Sequence, residues 1–187
     1  MVLVNNVTWF DKAFISVAPI NGAEVQLRAK TTSLAISGGS FDIEGIETFG
    51  GKVKRIGSRD DIEVSFDAIP SSTRDLDWIF HGTTSSAVSI TSSTAVSYRV
   101  TMLWTDEAVT TATSAILTGS EAYRQIYAEA NNTSLEYNMD AGEELTASIG
   151  FKLAFEDQNG APNWKKEMSP TTSALSAVTG YATGTKF

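Results

Sequence analysis

The sequence contains no cysteine, a single histidine, only four prolines and no apolar run long enough to span a membrane. Without cysteine there is no disulfide and no thiolate metal site, and redox compartment cannot be read. A Ser-His-Asp site would have to use His81, the only histidine. That residue falls at the end of a predicted helix, where a cationic side chain suits the helix dipole, so a capping role is the better reading. No P-loop, no dinucleotide-binding glycine pattern and no zinc spacing occurs, so no cofactor is expected. Charge is also scarce: 19% of residues are charged, against about a quarter in ordinary domains. Bases are the scarcer sign, 14 Lys and Arg against 22 Asp and Glu, which leaves a net charge of −8. An acidic chain repels nucleic acid and anionic membrane at long range. This argues against a DNA-binding regulator, but not against a surface past which DNA slides without sticking. Met1 to Asn5 is apolar, yet too short for a signal peptide and without a basic leader. The expectation is a soluble protein made in the cytoplasm, in which the sequons at Asn6, Asn131 and Asn132 mean little.

What is abundant is Ser, Thr, Ala and Gly, with a hydrophobic fraction of 42% over 187 residues. This is enough for the core of one domain, 1–187, and the composition suits β structure. Residues 32–70 organise the chain. In 61–69, Ile62, Val64, Phe66 and Ala68 alternate with Glu63, Ser65 and Asp67, the period of a half-buried strand. Pro70 ends it, because proline cannot donate to a sheet ladder. Two shorter alternating pieces, 34–36 and 41–43, are split by Gly38-Gly39. Between the halves, 49–59 reads as a glycine-bounded basic loop. The whole is predicted to be a long charged hairpin arm, at about 38–60, with too little core to stand alone.

On either side, 5–20 reads as one bent strand or two, stopped at Pro19, and 23–29 as a strand. Residues 72–81 are the best helix prediction. Ser72 can cap, Asp75 lies three positions on, Leu76, Ile79 and Phe80 share a face, and Gly82 can stop it. The Ser/Thr-rich 85–97 reads as a surface hairpin or irregular edge. A strand is expected at 97–104, with Tyr98, Val100, Met102 and Trp104 on one face. The Thr/Ala-rich 108–117 reads as an exposed loop or weak strand. Residues 120–130 are ambiguous, with local pattern slightly favouring a helix. Strands are expected at 133–137 and 145–155, then a turn at Asp157-Gln158-Asn159-Gly160. The tail at about 169–187 reads as flexible, with Leu175, Val178, Tyr181 and Phe187 as its possible anchors.

Candidate chemistry is thin. Asp42, Glu44 and Glu47 crowd one segment, and Asp60, Asp61, Glu63 and Asp67 another. Paired carboxylates can serve a glycosidase. Such pairs sit in clefts rimmed by aromatics, however, and here the aromatics fall mostly on inward rows, so a solvated acidic face is preferred. Asp157-x-Asn159-Gly160 begins like a calcium loop but lacks the closing glutamate, and a plain turn is preferred. The sharper feature is Lys52, Lys54, Arg55 and Arg59 in the arm of an acidic protein. They are either a solvated hairpin tip or a contact that docks onto a like subunit. With Asp42, Glu44 and Glu47 on the same arm, both signs lie together, which suits head-to-tail stacking.

Four segments carry a resemblance: Gly38-Gly39-x-Phe41-x-Ile43-Glu44 with Phe49-Gly50-Gly51, then 59–67, 98–106, and 137–146 leading into Phe151-Lys152. Together, over about half the chain, they resemble tail tube proteins of long-tailed viruses of bacteria or archaea. The resemblance implies a mainly β fold of two packed antiparallel sheets, a sandwich or partial barrel. A short α-helix at 72–81 would flank it and the long arm would project from it. It implies that 120–130 is a strand. It implies rings, usually of six, in which one sheet of each subunit joins a continuous barrel, stacked through the arm and terminal segments. The lumen would be acidic, so that genomic DNA passes without specific binding. Other tail proteins are the further partners, and the virion tail is the location. The expectation is a structural protein without an active site. The rival expectations are a β-sandwich surface or fibre module binding a ligand such as carbohydrate, a secretion-system tube, and a hydrolase using the acidic clusters.

Overall fold

The computed structural model describes residues 12–19, 24–29, 33–48, 51–70, 97–157, 159–169 and 174–178. Ten strands are assigned: β1 (Lys12–Pro19), β2 (Val25–Ala29), β3 (Ala35–Gly38), β4 (Phe41–Thr48), β5 (Gly51–Arg59), β6 (Ile62–Ile69), β7 (Ser97–Thr105), β8 (Ala122–Asn138), β9 (Thr146–Leu153) and β10 (Trp164–Ser169). Every pairing is antiparallel. Going round, β7, β1, β2, β6, β9 and β8 each pair with the next, and β8 returns to β7. The chain is therefore mainly β, but it is not two packed sheets: one sheet closes on itself as a six-stranded barrel. The predicted helix at 72–81 and the Ser/Thr-rich 85–96 lie outside the described residues, among which no helix occurs.

Closure depends on β8. This strand runs for 17 residues and serves two neighbours on one edge. Ala122 to Tyr127 face β10, and Asn131 to Asn138 face β9. The other edge pairs with β7. Two irregularities turn it, one between the partners Tyr98 and Val100 and one between Asn132 and Ser134. Glu129, at φ 54°, sits at the first. An extra residue bends a strand and increases its twist, which carries β8 round the barrel wall. A helix over 120–130, slightly favoured by local pattern, is thus replaced by a strand, as the resemblance implied. β6 shares an edge similarly: Arg28↔Ile69 and Ala29↔Ala68 join it to β2, and Ala35 to Gly38 pair with the rest.

The inward rows form the core. Ile15, Val17, Leu27, Val64, Phe66, Val100, Met102, Ile149 and Phe151 are all buried in one cluster. Phe151 stacks on Phe66 at 6.3 Å and meets Tyr98 edge-on at 5.8 Å. Burying each such ring stabilises the fold by about 2–3 kcal/mol. Farther along the same interior face, Gln125 lies between two tyrosines, donating to the Tyr123 hydroxyl and accepting from that of Tyr127. Burial, with Tyr123 nearby, pushes the Tyr127 hydroxyl up to about 12, so it stays a neutral donor.

The outward rows of β1, β7 and β8 are covered as well. Residues 106–120, including the 108–117 predicted as an exposed loop or weak strand, fold back over them, with Ala112 and Ile116 fully buried against Leu103, Ala122 and Phe14. Ala112 N–H donates to Gln26 Oε1 at 2.9 Å, and Thr113 Oγ1 donates to Glu24 Oε2 at 2.6 Å. Leu175 enters the same cluster, and its carbonyl accepts from Ile116 N–H at 2.9 Å.

Candidate assembly surface

Each predicted site residue lies on the arm. Asp42, Glu44 and Glu47 fall on β4; Lys52, Lys54, Arg55 and Arg59 fall on β5. The basic 49–59 segment, read from sequence as a loop, is largely strand. β4 and β5 form a two-stranded sheet that pairs with no other described strand. Eight residues of strand extend roughly 26 Å. The register places Glu44 opposite Arg55 and Glu47 opposite Lys52, whereas Lys54 stands opposite Gly45 and Arg59 opposite Phe41. Opposite-charge partners across a ladder each contribute about 0.2–1 kcal/mol to such a hairpin. Two of the arm's three acids therefore stand in register with bases of the same hairpin.

The arm leaves the barrel through a tight root. Gly38 has φ 91° and Gly39 φ 73°. A Cβ on Gly38 would lie 1.9 Å from the Asp61 carbonyl oxygen, so backbone touches backbone there. Asp60 N–H donates to the Ser40 carbonyl at 2.9 Å, and Ser40 Oγ donates to Asp60 Oδ2 at 2.8 Å. Lys152 on β9 lies 3.5 Å from Asp61 and 3.3 Å from Glu63. Hydrogen bonds to Glu63 and then Asp61 raise its pKa. Asp67 accepts from Ser148 Oγ at 2.6 Å. The second acidic cluster is thus committed to root and sheet contacts, and no group of three or more metal-binding side chains occurs among the described residues.

Beside the root, Ile36, Gly38, Gly39, Tyr127, Phe155 and Trp164 line a groove of about 200 Å³ between the two strands outside the barrel, β3 and β10. Each of these strands ends the sheet on its side, so among the described residues each keeps one free edge. All four residues of β3 are exposed. On β10, Lys165, Lys166 and Met168 are exposed. The inner side of β10 is held by Arg124, itself 1% exposed. Its guanidinium donates to Glu167 at 2.8 Å, to the Ser114 carbonyl at 2.9 Å and to the Ser176 carbonyl at 2.6 Å. Burial pushes Glu167 up, but hydrogen bonds from Lys165 and Arg124 pull it further down, and the net pKa is lowered. Sequence reasoning missed this clamp, since a lone arginine in an alternating row carries no local sign of burial. It also missed β10, and that β3 and β10 end the sheet, because pairing partners are not local.

No known protein family matches the sequence, and no curated protein matches it. Solved structures do match. A chain of the anti-feeding prophage baseplate superposes with a TM-score of 0.55 at 8% identity, over 88% of this chain and 97% of that one. A chain of the sheath/tube terminator of an extracellular contractile injection system, in its extended state, gives 0.52 at 16% identity, over 88% and 99%. A crystallised Hcp protein gives 0.39 at 12%. At these identities the first two comparisons establish the fold alone: the fold of this chain is similar to that of a chain in the anti-feeding prophage baseplate and of one in the sheath/tube terminator of a contractile injection system.

Proposed function

We propose that this protein is a structural subunit that polymerises into stacked rings forming a hollow tail tube. In the fuller form of this reading it is a virion protein of a long-tailed virus. Six subunits make a ring, the genome passes through an acidic lumen, and other tail proteins are its neighbours. The observation that carries it is a barrel complete in itself that bears a hairpin paired with none of its strands. A lone two-stranded hairpin is marginal in water. A partner that covers it, and neighbours that occupy the edges of β3 and β10 left unpaired among the described residues, would complete the pairing. The likeness to chains of contractile injection particles supports the same role. The net charge of −8 suits a conduit that does not retain DNA.

Negative-stain microscopy of the purified protein tests this: rings or tubes are expected, and isolated particles count against it. Reversing Lys52, Lys54, Arg55 and Arg59 together should leave a folded monomer that no longer forms tubes. A carbohydrate-binding module would instead remain a discrete particle and gain thermal stability with its ligand.

A further inference from the structure

We propose that the far end of the β8–β9 hairpin receives the arm of a second copy. This rests on the tube reading above and names the acceptor that reading leaves open. The arm's own acids do not serve well as acceptor. Two of the three, Glu44 and Glu47, stand in register with bases of the same hairpin, Asp42 falls at the register shift between Phe41 and Ile43, and Lys54 and Arg59 stand in register with uncharged residues. The arm's four bases thus outnumber its three acids, and two of those bases have no charged residue in register with them, which suits an acidic surface elsewhere.

The β8–β9 hairpin provides one. No lysine or arginine occurs between Arg124 and Lys152. β8 and β9 stay paired to Asn138↔Thr146, beyond which the chain turns, with Glu143 N–H bonded to the Asp140 carbonyl at 3.0 Å. Glu136, Asp140, Glu143 and Glu144 are all exposed along this end. Among the described residues none of them has an ion pair, whereas Asp61, Glu63 and Glu167 do. The same end exposes apolar surface: Met139 is 73% exposed, more than any other large hydrophobic among the described residues, and Tyr137 is 49% exposed. Apolar side chains rimmed by one sign of charge make a docking surface for a strand rich in the other sign. The occupant is a second copy because the complementary surface exists on this chain. Arm and hairpin are different patches, so the contact is heterologous and repeats from copy to copy.

The absence of native cysteine makes the test clean. Thr48→Cys, on the arm, and Ala141→Cys, on the hairpin turn, leave every charged residue in place. The two variants are mixed, allowed to assemble and treated with a short bis-maleimide. Glu121→Cys, at the opposite end of β8, replaces Ala141→Cys as the control. The expected result is a cross-linked pair of chains from Thr48→Cys with Ala141→Cys, at least about tenfold above the control. In a second arm, Glu143→Lys/Glu144→Lys should block tube growth. Tubes that form without the cross-link, or that form unhindered from the double-lysine variant, overturn this proposal and leave the tube reading standing. Wild-type protein that gives neither rings nor tubes overturns both. A cross-link within single dilute chains carrying both cysteines also overturns it, since the arm would then lie on its own body.

Discussion

Gly38 has no room for a side chain. Its left-handed φ disfavours any other residue, and the Asp61 carbonyl occupies the space a methyl would need. Gly142 has a similar φ of 89° but open surroundings. Gly38→Ala should therefore destabilise clearly more than Gly142→Ala, which should cost about 1 kcal/mol, measured by urea unfolding. Arg124 is the other residue on which much converges. Arg124→Met keeps bulk but leaves two carbonyls and a half-buried carboxylate short of a donor, and should cost about 3 kcal/mol. Glu167 makes the same clamp sensitive to pH. Its folded pKa lies below the ordinary value, so its contribution is full above the unfolded pKa and is lost as pH falls through the folded one. Glu167→Gln should flatten the acid limb of a stability-versus-pH curve, most visibly below about pH 4.5. Gly38-Gly39 stood out in the sequence as a break between strands, but the Arg124 clamp did not, because its three partners come from segments far apart in the chain.

Strands were legible from their alternation, but the cover over a strand's second face was not. β6 alternates cleanly because Glu63 and Ser65 do face water while Val64 and Phe66 face the core. β7 looked the same from sequence, yet its second face is also buried, by residues 106–120. That segment read as exposed because its cover is Ala, Thr and Ser, and its two fully buried apolar side chains are too few to set a period. Leu175 is the anchor that ties the C-terminal segment to it. Leu175→Ala should cost about 2 kcal/mol and speed hydrogen exchange at the Ile116 amide, which donates to the Leu175 carbonyl. β5 was hidden for another reason. Lys52 to Arg59 carries no apolar alternation, and its strand pairs only with β4, so a glycine-bounded basic run passes for a loop.

For the whole molecule, the decisive difference is between two packed sheets and a barrel. Period-two rows predict an inward face in either case. Closure is decided by β8, which leaves β10 midway and continues beside β9 through two irregularities. At this scale the proposed assembly should depend on salt. Tubes held by arm and hairpin charges should loosen between 0.1 and 1 M salt, as the screening length falls from about 10 to about 3 Å, while thermal unfolding of the barrel changes little. Light scattering against salt, beside calorimetry, would check both halves of that expectation. The sequence by itself determined that the chain is antiparallel β, which rows fill the core, and that a two-signed arm leaves it between Gly38-Gly39 and Asp60. Each of these follows from residue types a few positions apart. Only the tertiary structure decided that the sheet closes within one chain, that Arg124 is buried, that Glu44 and Glu47 stand in register with bases of their own hairpin, and that the exposed acids at the end of β8 and β9 are without ion pairs among the described residues. Those depend on which distant strands lie side by side, and the free energy that selects them is shared over the whole barrel.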